Sequence, residues 1–191
     1  MSDLLSTTAR GSYGRARMMT ALAAGALSLC LSAGLARADA CPMVAEGVAL
    51  CLAGTPWQAD RIERYDDVTA WEGEDFFIEF NPALTEAAGD GALEAAVQRL
   101  MAVLLEAEAD LQATPLAHDA VEHGDAHSAR AVYQIVEEGE TYLGAVIVTD
   151  FPAGAAPRLA WAVGSFDPVE LENILGVIDA TAAGLRPATE N

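Results

Sequence analysis

The hydrophobic side chains of this chain change their spacing several times, and this constrains its fold more than any other feature. In AWEGEDFFIEFNP, residues 70–82, Phe76, Ile78 and Phe80 alternate with other side chains, which predicts a strand with one face on a core. Over residues 92–112 the apolar side chains recur at helical spacing instead, at Leu93, Val97, Leu100, Leu104 and Leu111. A strand followed by an amphipathic helix predicts a mixed fold.

Further strands are predicted on both sides of this helix. A short apolar run between glycines, residues 47–54, predicts an early buried strand, and residues 55–67 read as a turn anchored by Trp57. SARAVYQIV (128–136), TYLGAVIVT (141–149) and LAWAV (159–163) predict a group of later strands.

The C-terminal segment predicts a second helix. Asp167 as N-cap, Pro168 at the first helical position and Glu170 form a capping signature. The apolar stripe that follows consists of Leu171, Ile174, Leu175, Ile178 and Leu185. The predicted order is β-β-α-β-β-β(-β)-α, in a single α+β domain over residues 41–191 with a long middle helix and a C-terminal helix.

The N-terminus has the pattern of a secretory signal peptide over residues 1–40. Arginines precede an apolar run, residues 18–35, and small residues then recur as Ala36-Arg37-Ala38 and Ala38-Asp39-Ala40. A periplasmic or secreted protein is therefore expected. The apolar run is slightly longer than usual, so an uncleaved N-terminal anchor is the alternative. No later stretch has the roughly 20 apolar residues of a membrane span, so no membrane insertion is expected after cleavage.

Charge and cysteine content narrow the classes of partner. After residue 40 the chain has 27 acidic residues, 6 arginines and no lysine, a net charge near −21. Such a surface repels phosphate backbones and anionic lipid, so nucleic-acid binding is disfavoured. Cys41 and Cys51 form an even pair in an exported chain, which predicts a disulfide. The alternative, a redox pair, usually has the closer C-x-x-C spacing.

Several of these segments, in this order, resemble the PsbP-like superfamily, which includes DcrB-type and LpqN-type envelope proteins. The matching features are an early strand leading to Pro56-Trp57, the aromatic segment AWEGEDFFIEF, the middle helix, GDAHSARAVYQIV with a hairpin after it, and the finish WAVGSFDPVELENILGVIDATAAGLRP. A serine usual in the family before the closing aromatic-Arg-Pro is missing, because Gly184-Leu185-Arg186-Pro187 stands there. The resemblance implies an α/β/α sandwich around an antiparallel sheet, and it carries no catalytic residues over.

Recognisable catalytic constellations are absent from the sequence. The serines after residue 40 are Ser128 and Ser165, and neither lies in a G-x-S-x-G elbow. His127 beside Ser128 is no dyad, because adjacent strand residues point to opposite faces. No phosphate-binding loop is found, and without lysine no Schiff base can form. No enzyme activity and no cofactor are therefore predicted.

All three histidines lie in one segment, HDAVEHGDAH, residues 118–127. If residues 123–127 were extended, His123, Asp125 and His127 would share a face, with ligand types suited to zinc. Gly124-Asp125 instead favours a hairpin turn that would break the shared face. We therefore predict a hydrated hairpin and no metal site, and these three residues are the candidates if a metal is bound.

The resulting prediction is an exported, non-enzymatic accessory or binding domain with an unknown protein or small ligand as partner. The alternatives are a divalent-metal-binding periplasmic protein that uses residues 118–127 and an enzyme of unidentified type. Trp57, Trp71 and Trp161 could stack a ligand, although tryptophans at strand edges are more often core. A crevice lined by Trp57 and Trp161 would favour a small ligand, and a closed core with an acidic exterior would favour a protein partner.

Overall fold

The structure, a computed structural model, describes residues 41–65, 67–107, 112–124, 126–137, 139–152 and 155–188. These residues belong to one unit of the chain, residues 38–191. The predicted signal peptide, residues 1–40, lies outside the described residues. The described elements are β1 (Met43–Ala45), β2 (Val48–Leu50), β3 (Ile62–Tyr65), β4 (Val68–Glu72), β5 (Phe76–Phe80), α1 (Pro82–Ala88), α2 (Leu93–Ala107), β6 (Gln112–His123), β7 (Ala126–Glu137), β8 (Glu140–Asp150), β9 (Leu159–Ser165), α3 (Leu171–Gly184) and β10 (Leu185–Pro187).

Within the described residues, seven strands form one antiparallel sheet in the order β3-β4-β5-β9-β8-β7-β6. The central strand β8 is buried along most of its length, which explains why its sequence is apolar on both parities. The edge strand β6 is mostly exposed. It also contains Pro115, which an edge strand tolerates because it needs no hydrogen bond on its outer side.

Helices cover both faces of this sheet. On one face α3 packs Ile174 and Ile178 against strand residues such as Phe80 and Trp161. On the other face α1 and α2 pack against β7, β8 and β9 through small and branched side chains. Residues of opposite parity on the same strand therefore belong to different cores. This arrangement confirms the predicted α+β class, with an antiparallel sheet between a long middle helix and a C-terminal helix.

A smaller sheet of order β1-β2-β10 joins the start of the described chain to its end. The predicted disulfide between Cys41 and Cys51 is present at the start of this sheet. The Cys51 amide also donates to the Gly184 carbonyl at 2.9 Å. The disulfide thus fastens the first described residues to the end of α3, where fraying would otherwise be expected.

Two predicted segments need correction around the β4–β5 turn. Residues 70–82 are not one strand: β4 and β5 form a hairpin, closed where the Gly73 amide donates to the Phe76 carbonyl at 2.7 Å. The apolar alternation continues across the turn because Trp71 lies directly opposite Ile78. Residues 55–67, predicted as a turn, include strand β3.

The helix boundaries also differ from the prediction. Helix α2 ends at Ala107 within the described residues, and by Gln112 the chain is already in β6, where exposed side chains leave no apolar alternation to recognise. Helix α1, which begins after the cap in which Asn81 accepts the Ala83 amide, is too short for a periodic pattern. Helix α3 begins at Leu171 and not at Pro168, with Glu170 as an N-cap that makes no side-chain hydrogen bond.

Candidate functional site

The histidine segment forms the β6–β7 hairpin. His123 lies opposite Ala126 and Glu122 opposite His127, and Gly124 at the turn has a φ of 61°, which glycine adopts without strain. Because directly opposed residues share a face, His127 points to the α2 side of the sheet and His123 to the α3 side. The turn therefore separates these two imidazoles.

Two of the three candidate zinc ligands, His123 and His127, therefore lie on opposite faces of the sheet. The third candidate, Asp125, lies outside the described residues. The described residues contain no group of three or more His, Cys, Asp or Glu side chains placed to hold a metal ion. The Nδ1 atom of His127 lies 3.6 Å from an oxygen of Glu122, and both side chains are largely exposed.

His123 takes part in an ion-pair cluster that sequence reasoning missed. Arg130 on β7 is only 7 % exposed, and its Nε and Nη2 atoms donate to the two carboxylate oxygens of Asp119 at 2.7 and 3.1 Å. Its Nη1 atom donates to Asp179 on α3. His123 Nε2 lies 3.9 Å from the same Asp179 oxygen. We call these four residues the Arg130 cluster.

Three members of the Arg130 cluster have shifted pKa values, and the fourth, Asp179, contributes to the shifts of His123 and Arg130. The hydrogen bond from Arg130 lowers the pKa of Asp119, and the bond to Asp119 raises the pKa of Arg130. Burial lowers the pKa of His123, although Asp179 opposes this effect. The guanidinium therefore binds two carboxylates, and the cluster links α3 to the β6–β7 hairpin.

Two hydroxyl groups near the Arg130 cluster, those of Ser128 and Thr149, take part in internal hydrogen bonds. Ser128 Oγ lies 2.9 Å from Thr149 Oγ1, and Thr149 Oγ1 accepts the indole N–H of Trp161 at 3.1 Å. Ser128 is buried while His127 is exposed on the other face of the sheet, as the strand alternation predicts. His127 therefore cannot serve as a base for Ser128, because the two side chains lie on opposite faces of the sheet.

The three tryptophans are core residues. Trp71 and Trp161 are fully buried and Trp57 is 4 % exposed. The indole of Trp57 donates to Thr181 of α3 at 2.8 Å, and that of Trp71 donates to the Gln58 carbonyl at 3.1 Å. Trp161 does not line a crevice with Trp57, so the ligand-stacking alternative has no surface here that exposes both rings.

A cleft of about 280 Å³ does lie beside the β4–β5 hairpin, between that hairpin and α3. Its apolar walls are formed by Trp57, Phe76 and Val177 among others, and its charged lining includes Glu74 and Asp75. An adjoining open cleft of about 380 Å³ follows the start of β3 and is lined by Asp60, Arg61, Ile62, Glu63, Glu72 and Gly73. None of the hairpin carboxylates stands out in the sequence, because acidic residues at turns are ordinarily only solvated.

None of the helices among the described residues is both long and apolar enough to cross a membrane. No protein-family profile matches the sequence, and no curated protein matches it. The chain is similar to the solution structure of cyanobacterial PsbP (CyanoP) from Synechocystis sp. PCC 6803, with a TM-score of 0.44 and 13 % sequence identity, over 75 % of this chain and 88 % of that chain.

Proposed function

We propose that this chain is an exported, non-enzymatic binding domain of the cell envelope or the secreted fraction, and that its partner is a protein. In this proposal residues 1–40 are a secretory signal peptide, and residues 41–191 are the mature domain. The Cys41–Cys51 disulfide supports an oxidising compartment, since disulfides rarely persist in the cytosol.

The observation that carries the proposal is the closed core beneath an acidic exterior. The tryptophans that would have formed a ligand crevice are buried and hydrogen-bonded internally. The cleft beside the β4–β5 hairpin, about 280 Å³, is just below the roughly 300–1,000 Å³ typical of small-molecule sites, and the adjoining cleft of about 380 Å³ is open to solvent and lined mainly by charged side chains. The net charge near −21 of residues 41–191 favours a partner with a basic surface.

Location and binding can be tested together. The tagged full-length chain is expressed in its source cell, crosslinked, and purified from the envelope and medium; a variant lacking residues 1–40 is the control. We expect one crosslinked protein that the control does not capture. When that protein is purified separately, it should bind the mature domain directly, and its Kd should rise between 50 and 300 mM salt because charge attraction is screened.

The proposal fails if the full-length chain stays in the cytoplasm, or if the captured protein does not bind the purified domain. It also fails if a mixture of small metabolites raises the melting temperature of the domain and no protein is found that binds it.

A further inference from the structure

The cleft beside the β4–β5 hairpin has room for one long side chain. Its volume of about 280 Å³ is bounded by the segment around Trp57, by the hairpin turn and by Val177 of α3. The apolar walls, Trp57 and Phe76, suit the methylene stem of a long side chain.

The charge around the cleft selects the sign of that side chain. Glu72, Glu74 and Asp75 from the hairpin line the cleft together with Arg61. The adjoining open cleft adds Asp60 and Glu63. The two clefts are thus lined by five carboxylates and one guanidinium, so their net charge is negative and favours a cation over an anion.

The walls of the cleft are held in place by hydrogen bonds made within the protein. The Gly73 amide donates to the Phe76 carbonyl at 2.7 Å, and the Phe166 amide donates to the Asp75 carbonyl at 2.9 Å. The indole of Trp57 is fixed by Thr181. A Cβ atom at residue 73 would lie 3.0 Å from the Phe76 carbonyl oxygen, so glycine lets the two strands of the hairpin approach closely at the turn. Little ordering is therefore required on binding.

We propose that the partner protein inserts an arginine or lysine side chain into this cleft. The inference rests on the proposed function, a protein partner, and adds the place of contact and the chemistry of the inserted group. It differs from general attraction to an acidic surface, because it assigns the contact to Glu74 and Asp75 and not to exposed carboxylates elsewhere.

The probe is the capped tripeptide acetyl-Gly-Arg-Gly-amide, titrated at low salt into the ¹⁵N-labelled mature domain, with acetyl-Gly-Gln-Gly-amide as the uncharged control. We expect saturable shifts of the Gly73, Glu74 and Phe76 amides and of the Trp57 indole N–H. The glutamine peptide should leave these signals unchanged.

Three variants make the result specific. The double variant Glu74→Gln with Asp75→Asn should weaken binding about three- to tenfold, the range expected for two exposed ion pairs. Arg61→Gln should strengthen it about twofold, because it removes a like charge. The matched control, Glu94→Gln with Glu106→Gln, removes two exposed carboxylates from α2 and should leave the affinity unchanged.

Equal shifts with the glutamine peptide, or equal weakening by the hairpin pair and the α2 pair, would overturn the inference. So would shifts spread over the whole acidic surface, or saturable binding of CaCl₂ at the hairpin without a response to the arginine peptide. A partner that is captured and binds equally well to the hairpin double variant would refute this contact while leaving the proposed function intact.

Discussion

The two polar hairpins of the large sheet use their charged side chains in opposite ways. In the β6–β7 hairpin, Asp119 is bound by the buried guanidinium of Arg130, which also reaches Asp179 on α3. In the β4–β5 hairpin, Glu74 and Asp75 are exposed beside a cleft. The histidine-rich hairpin is the more conspicuous in the sequence, yet its charges hold the fold together. The acidic hairpin is inconspicuous, and its charges face solvent, where a partner can reach them.

The largest expected effect is the loss of the buried guanidinium. Arg130→Met should lower the free energy of unfolding by about 2–4 kcal/mol, because two carboxylates lose their shared partner and each is nearly half exposed, which moderates the cost. Chemical denaturation measures this effect. Arg186→Met, at an exposed arginine that donates to the adjacent Leu185 carbonyl, is the control and should stay within about 0.5 kcal/mol. Equal effects of the two variants would show that the Arg130 cluster does not stabilise the fold.

The disulfide lies outside both hairpins, so its removal should lower the stability of the domain without changing the structure of either hairpin. The double variant Cys41→Ser with Cys51→Ser should lower the free energy of unfolding by about 2–3 kcal/mol, since a loop of 10 residues is no longer closed in the unfolded chain. The melting temperature should fall by several degrees in calorimetry. Amide shifts of both hairpins should be preserved in NMR spectra of the variant. Two alkylatable thiols in the native exported protein would contradict the disulfide itself.

A pH dependence should reveal the contribution of His123 in the β6–β7 hairpin to stability. Burial holds the pKa of His123 below its ordinary value of 6.5, so the unfolded chain binds a proton more readily than the folded one. The stability tied to neutral His123 is complete above pH 6.5 and is lost as the pH falls through the folded pKa. His123→Gln should flatten this part of the curve of stability against pH. A curve that His123→Gln leaves unchanged would refute the assignment.

A second loss of stability at lower pH belongs to Asp119. Arg130 lowers the pKa of this carboxyl from 3.8, so its contribution is complete above that pH and is lost as the pH falls through the folded pKa. Asp119→Asn should remove this acidic part of the curve and retain the part assigned to His123.

The smallest expected effect is in the acidic hairpin. Glu74→Gln with Asp75→Asn should change the free energy of unfolding by no more than about 0.5 kcal/mol, because both side chains are exposed. Denaturation of the double variant beside the parent chain measures it. A loss of more than 1 kcal/mol would place these carboxylates in the same structural class as Asp119 and remove the contrast between the hairpins.

Much of the fold could be predicted because the buried positions of a regular helix or strand produce a periodic pattern of apolar residues in the sequence. The stripe of α2, the alternation of β5 and the apolar run of β8 each match the core that they enter. Elements without such a pattern were missed: β6 is an exposed edge strand, and α1 and β10 are too short. The start of α3 was predicted too early because Asp167 and Pro168 imitate a cap without forming one.

The sequence by itself determined the α+β class, the disulfide pair and the turn at Gly124, since each depends on neighbours in the chain or on simple parity. Only the tertiary structure decided which charges are structural. Arg130 lies 11 residues from Asp119 and 49 from Asp179, and Trp57 meets Thr181 across 124 residues. Local patterns carry no information about such distances. Whether a carboxylate is bound by a buried guanidinium or exposed beside a cleft depends on which elements the fold brings together.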